Sequence, residues 1–274
     1  MRMRRDLYLI SEFGAADDLA DLVAETDDVD QVRGGRTALW HAVFGNRSDN
    51  VAILLDAGAD PHRPMMSGWT PARLSLAGPH PLPGAPPLSE AEADAVAVAG
   101  ELLAALEPPA HGYDGFGLAC VAGIGAAEAA RRLDGEETEE PTSFDPWSGE
   151  DPAEYVVGVT DVPGGCVVTQ PWWFLPSMTG IMNRLSPGTD CYGLYMNPKS
   201  GPQGSVSSDG MYVQRHSPGS GPDENDRPEE VLAAYLYRRN HVAYACAFAG
   251  LRPTDTRAVA GPADLWLRLP RLKY

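Results

Sequence analysis

The stretch Gly34–Pro71, GGRTALWHAVFGNRSDNVAILLDAGADPHRPMMSGWTP, contains its own echo. Gly35-Arg36-Thr37 returns as Gly68-Trp69-Thr70, 33 residues later. A period of that length marks a stacked repeat, in which each unit buries its apolar face on the next. Thr37 is placed to cap a first helix that turns Ala38, Leu39, Ala42 and Val43 inward. Gly45-Asn46-Arg47 breaks it, and a second helix follows with Val51, Leu54 and Leu55 as its apolar stripe. Gly58 then stands where a left-handed C-terminal glycine ends a helix. Thr70-Pro71 reopens the cycle with Thr at the N-cap and Pro at the first helical position.

Outward from this unit the pattern weakens on both sides. Residues 6–30 read as two short helices about Gly14-Ala15-Ala16, with Leu7, Ile10 and Phe13, then Leu19, Leu22 and Val23, at helical spacing. After Gly78 the Pro-rich run PHPLPGAPP, residues 79–87, cannot continue a helix. Ser89 and Glu92 then form a capping-box signature. They open a helix carrying Val96, Leu102, Leu103 and Leu106, the second helix of that repeat delayed by an insertion at 79–89.

The entry Thr37-Ala38-Leu39-Trp40-His41-Ala42 and the exit Leu54-Leu55-Asp56-Ala57-Gly58-Ala59-Asp60 resemble the two signature phrases of ankyrin repeats. The resemblance covers residues 5–107 and is specific over 34–71. It departs from the pattern at Trp40, which replaces the motif's His, at Ala72-Arg73 in the next unit, and at the insertion. It implies a helix-pair stack without chemistry of its own, which binds partners along its concave face and finger tips. The partner-contact residues it implies are Arg33, His41, Met65, Met66, Trp69 and Arg73. Trp40 reads as core and His41 as exposed. Met65-Met66 at a finger tip docks on the chain's own second half, meets an external partner, or is incidentally exposed; Met adapts to the first two.

The second half reads differently. Phe116–Leu133 reads as a helix pair, GLACVAG then AAEAARRL, followed by an acidic linker over 134–151. Then the period becomes two. Tyr155–Thr160 and Cys166–Thr169 are strands joined across Pro163-Gly164-Gly165. Met178–Leu185 is a helix, Cys191–Met196 and Met211–His216 are strands, and Asn197–Gly210 has room for one more. Asp226 starts a long helix striped by Val231, Tyr235, Val242 and Cys246, and Asp264–Leu269 is a last strand. The expected fold is therefore two-domain: an all-α ankyrin-type stack over 1–110, then an α+β domain with an antiparallel meander sheet over 111–274. GLACVAGIGAAEAARRL, GGCVVTQPWWFLPSM and SPGTDCYGLYMN, in that order, are similar to an uncharacterised domain of actinobacterial proteins. That similarity transfers no functional residues.

Composition bounds the function. A net charge of −17 over 274 residues argues against a nucleic-acid face and against docking on anionic lipid. No apolar run is long enough to cross a bilayer, and MRMRRDLYLISEF has no apolar h-region, so a cytoplasmic protein is expected. All basic residues but Lys199 and Lys273 are Arg, a bias of high-GC bacterial genomes. Cys120, Cys166, Cys191 and Cys246 form no CxxC pair and read as buried thiols rather than zinc ligands. There is no GxSxG, HExxH or GKS/T motif, so neither an enzyme class nor a cofactor or metal is assigned. Gly123-Ile124-Gly125 mimics half a dinucleotide fingerprint but lacks the third glycine and a preceding strand, and reads as a helix break.

Two functional expectations result. The leading one is an interaction module, an immunity or regulatory protein that uses its acidity, including the run 134–140, on a basic partner. The alternative is an enzyme or small-ligand binder with a pocket at Trp172, Trp173, Tyr192 and His241.

Overall fold

The computed structural model describes residues 6–107, 115–141, 152–171, 173–216, 218 and 221–271. In chain order the helices begin with α1 (Leu7–Phe13), α2 (Ala16–Ala24), α3 (Ala38–Phe44), α4 (Ser48–Asp56), α5 (Pro71–Ser75) and α6 (Glu90–Ala105). There follow β1 (Phe116–Ala122), α7 (Ala126–Leu133), β2 (Glu136–Thr138), β3 (Val156–Val162), β4 (Gly165–Gln170), α8 (Thr179–Leu185), β5 (Asp190–Asn197), β6 (Gly201–Ser208) and β7 (Met211–His216). The chain closes with α9 (Pro228–Leu236), α10 (His241–Phe248), α11 (Arg257–Ala260) and β8 (Leu265–Arg268). The protein is a mixed α+β chain with one antiparallel sheet. It divides into two compact units, residues 1–97 with 221–236, and residues 98–220 with 237–274.

In the helical unit, α1 packs on α2 and α3, α3 packs on α4 and α5, and α2 packs on α4. Thr37 Oγ1 accepts the Trp40 N–H at 3.2 Å, and Thr70 Oγ1 accepts the Arg73 N–H at 3.0 Å. The 33-residue echo is thus the same capping bond made twice. Ser89 and Glu92 close their capping box, with Ser89 N–H donating to the Glu92 carboxylate at 2.7 Å and Glu92 N–H to Ser89 Oγ at 3.3 Å. Asp30 takes the Asp60 N–H on both carboxylate oxygens and so ties one inter-helix turn to the next. Trp40, as expected, is fully buried with Leu39, Leu54 and Leu74.

The finger is held inside this unit. Met66 is 3% exposed and Trp69 0%. What covers them is α9, from the second half of the sequence: Val231, Leu232 and Tyr235 share one core with Trp40, Met66 and Trp69. Trp69 Nε1 donates to the Pro228 carbonyl at 3.0 Å, Ser67 Oγ donates to the Asp226 carbonyl, and Tyr235 donates its hydroxyl proton to Asn46 Oδ1 at 2.8 Å. Gly78 lies under the Tyr235 hydroxyl, where any Cβ would overlap it. Residues 221–236, expected with the second half, group with the helical unit, whose core takes their apolar side. The expected single helix from Asp226 is two helices. Its stripe is interrupted at Tyr237–Asn240, where the division between units falls and where Asn240 caps α10 by accepting the Ala243 N–H at 2.9 Å.

In the second unit the sheet order is β2-β8-β3-β4-β1-β5-β6-β7. The expected hairpin is present, β3 to β4, with Gly164 at φ +97° in the turn. The sheet is not a simple meander, because β1 enters between β4 and β5, and β8 between β2 and β3. Phe116–Ala122, expected as a helix, is that central strand. Its unbroken apolar run suits a strand buried on both faces as well as a buried helix, and periodicity alone does not separate the two. Successive residues face opposite sides. Val121 and its partners Cys166 and Cys191 belong to the core shared with α7 and α8, whereas Cys120 lies 3.7 Å, sulfur to sulfur, from Cys246 on α10. The acidic stretch contributes β2, an edge strand on β8, and its remainder over 142–151 lies outside the described residues.

Candidate functional site

The residues expected to meet a partner on the helical unit are engaged within it. Arg33 makes two 2.8 Å bonds to the Asp6 carboxylate and lies 4.1 Å above the Tyr8 ring. The Arg33 hydrogen bond holds the Asp6 carboxyl below its ordinary value. Arg73 grips Glu92 at 2.9 and 2.8 Å and lies 4.5 Å above the Trp69 ring. Burial pushes the Glu92 carboxyl up, but the Ser89 hydrogen bonds and Arg73 together outweigh it and leave it lowered. His41, expected to be exposed, is half-buried with Nδ1 2.7 Å from Glu12. Met65 is half-buried beside the enclosed Met66 and Trp69.

The four residues expected to share a pocket are dispersed in role. Trp172 lies outside the described residues, and Trp173 follows the end of β4 in a half-buried loop. This loop crosses β1 at Gly117, where a Cβ would collide with the Trp173 carbonyl. Tyr192 is wholly buried, its hydroxyl 2.9 Å from His216 Nδ1 and its ring against Tyr244 and Phe248. Burial drives that hydroxyl far above its ordinary pKa. His241 stands at the start of α10 with Nδ1 buried and without a hydrogen-bond partner, and burial lowers its pKa.

Burial also governs the thiols. It raises Cys120 and Cys191 strongly and pushes Cys166 up to about 12, so none of these three is a ready thiolate at neutral pH. Gly123-Ile124-Gly125 does follow a strand, contrary to the sequence reading, and opens α7. The place of an anion there is filled by the chain itself, because Asp161 Oδ1 accepts the Ala126 N–H at 2.6 Å.

The open feature lies at the β7 edge, and the sequence reading passed over it. Tyr195 pairs with Gln203, Gly193 with Ser205, and Ser205 with Arg215, so these side chains share one face. Ser207 on that face pairs with Tyr212, because a bulge leaves Val213 unpaired between Tyr212 and Gln214. Strict alternation would put Tyr212 and Arg215, three residues apart, on opposite faces. The bulge puts them on the same one. Gly193 lets the 3₁₀ turn Leu175–Ser177 and Met182 press onto the sheet, with Ser177 Cα only 3.0 Å from where a Cβ would stand.

The result is a groove of about 390 Å³ lined by Phe174, Met178, Tyr195, Gln203, Tyr212 and Arg215, within the range of ligand-binding clefts. Phe174 meets Tyr195 edge-on at 5.6 Å. Arg215 is exposed, and its one bond is to Gln203 Oε1 at 3.3 Å, with no carboxylate partner among the described residues. Beside the groove, β7 leaves Met211 68%, Tyr212 45% and Val213 56% exposed, and Phe174 is 47% exposed. Phe174 and Tyr212 are thus exposed aromatic rings on a lined cleft, and Arg215 is a cation without a carboxylate partner among the described residues.

A second cleft of about 570 Å³ runs between the end of α6 (Glu101, Leu102) and the Pro163 and Arg252–Thr254 loops. Among the described residues no helix is long and apolar enough to cross a membrane, and no cluster of His, Cys, Asp and Glu is arranged to hold a metal ion. No protein-family model matches this chain, and no curated protein matches it.

Proposed function

We propose that the protein is a cytoplasmic interaction module in which the first unit is an ankyrin-type helix-pair array and the second, a separate α+β domain, captures an extended segment of a protein partner at the β7 edge. The array reading is supported by the repeated Thr37 and Thr70 caps and by the Asp30–Asp60 tie between successive turns. With Arg33, His41, Met66, Trp69 and Arg73 engaged internally, the expected finger and helix faces offer a partner little, and recognition moves to the sheet.

The observation that carries this reading is β7 itself. It is an outermost strand with five exposed positions, Met211 to Arg215, and no acidic residue. The other outermost strand, β2, is three residues long and bears Glu136 and Glu137, the short charged form that discourages pairing. A partner strand added to β7 gains backbone hydrogen bonds, and the groove receives its side chains. The net charge of −17 favours the approach of partners of overall positive charge, within a range set by the Debye length, about 8 Å at physiological salt.

The test is selection of phage-displayed random dodecapeptides on the intact chain. Enriched peptides should bind the wild-type protein and fail to bind Met211→Lys/Val213→Lys, a variant whose exposed changes spare the core and protect the edge. Absence of enrichment, or equal binding to the variant, removes this reading.

A further inference from the structure

The groove beside β7 carries one charged side chain, Arg215, which has no carboxylate partner among the described residues. Several arginines of this acidic chain are held by carboxylates, Arg33 by Asp6, Arg73 by Glu92, Arg132 by Glu128, Arg184 by Asp134 and Arg257 by Asp264, and others, such as Arg47 and Arg63, donate to backbone carbonyls. Among the described residues Arg215 bonds the amide oxygen of Gln203 alone. That bond occupies one N–H of the guanidinium and leaves the rest of its planar fork to donate to two oxygens of one group. Nothing else in the lining supplies a second cation, and α8, with seven residues, contributes no anion site of its own. A single fork of this kind suits a planar, singly charged carboxylate better than a phosphate. The rings of Phe174, Tyr195 and Tyr212 around it favour an apolar neighbour on the ligand.

We infer that the groove is a carboxylate subsite. It reads an Asp or Glu side chain of the extended segment that pairs with β7, together with an aromatic or large aliphatic residue two positions away. This rests on the edge-recognition reading above. The two-residue spacing comes from the register. Ser205 pairs with Arg215 and Ser207 with Tyr212, so the two rows of the groove face are one strand repeat apart. A strand laid outside β7 presents alternate residues to that face. Its acidic residue sits opposite the Arg215 row and its apolar residue opposite the Tyr212 row. The whole-chain charge of −17 acts on the partner's overall charge during approach, whereas the Arg215 pairing acts at contact, so a basic partner with one acidic residue in this segment satisfies both.

The experiment uses the dodecapeptides enriched on the intact chain, titrated as synthetic peptides by calorimetry. The sequences are expected to share an acidic residue with an apolar residue at the second position from it. Replacing that Glu by Gln in a selected peptide should weaken binding about tenfold or more. Arg215→Gln, a change at an exposed residue whose folding is checked by its melting curve, should weaken the Glu peptide and leave Glu and Gln peptides equal. Arg215→Lys should restore only part of the preference, because an ammonium cannot reproduce the fork. Peptides that lose binding on Met211→Lys/Val213→Lys but show no acidic position, or whose Glu and Gln forms bind wild type alike, overturn the carboxylate subsite and leave edge recognition standing. Peptides indifferent to the edge variant overturn both.

Discussion

Tyr235 and Gly78 show how one residue commits another. The Tyr235 hydroxyl occupies the space a Cβ at position 78 would need and donates to Asn46. Gly78→Ala should cost about 1–3 kcal/mol by overpacking. Tyr235→Phe in the same chain should recover part of that loss, since it removes the obstructing oxygen. Urea denaturation of the two single variants and the double variant checks this, and strictly additive losses would contradict the contact. Trp69 is the second such residue. Full burial and its bond to the Pro228 carbonyl make Trp69→Ala a loss of about 3–5 kcal/mol.

Acid sensitivity is set at the same scale. The carboxyls of Asp6 and Glu92 both titrate below their ordinary values of 3.8 and 4.5 in the folded chain. A carboxylate lowered on folding contributes stability that is complete above its unfolded pKa and is lost as pH falls through the folded one. Glu92→Gln should therefore flatten the loss of stability below about pH 4.5 relative to wild type. Melting curves at stepped pH test it, and an unchanged acid limb would contradict the pairing. Asp6 contributes in the same direction, but Arg33 is more than half exposed, so solvent screening keeps its share small.

Among elements, α9 carries the clearest consequence. Its apolar side belongs to the core of Trp40, Met66 and Trp69, far from it in sequence. A chain cut after residue 107 keeps every repeat-like helix and loses that cover. It should bind a dye specific for exposed apolar surface and melt without a cooperative transition, whereas a sharp transition equal to that of the full chain would show the cover to be dispensable. Local grammar was readable from sequence: the Thr37 and Thr70 caps, the Ser89–Glu92 box and the β3–β4 turn depend on residues within a few positions of one another. The fate of 221–236 was not, because an amphipathic helix states that it needs cover and does not name the partner. Phe116–Ala122 was misread for a related reason, since a strand flanked on both faces by helices shows no alternation. The groove was hidden by one residue, Val213, whose bulge breaks the alternation that would have revealed Tyr212 and Arg215 as neighbours.

At the scale of the whole molecule the acidity becomes useful. If −17 charges steer a cationic partner, association should slow as salt rises from low to physiological ionic strength, while dissociation changes little. A selected peptide carrying added Lys residues outside its β-pairing segment serves as the probe in stopped-flow experiments, and a salt-independent on-rate would contradict steering. Division of labour follows from the same picture. The helical unit engages Arg33, Arg73 and its finger internally, and the sheet unit keeps an aromatic groove and an edge that no described strand pairs with.

Amide hydrogen exchange on the intact chain, with and without a selected dodecapeptide at saturation, tests that division most directly. The account predicts slowed exchange concentrated in Met211–His216, with the Met65–Trp69 finger unchanged. Protection of the finger or of α3 and α5, with β7 exchanging as in the free protein, would contradict it.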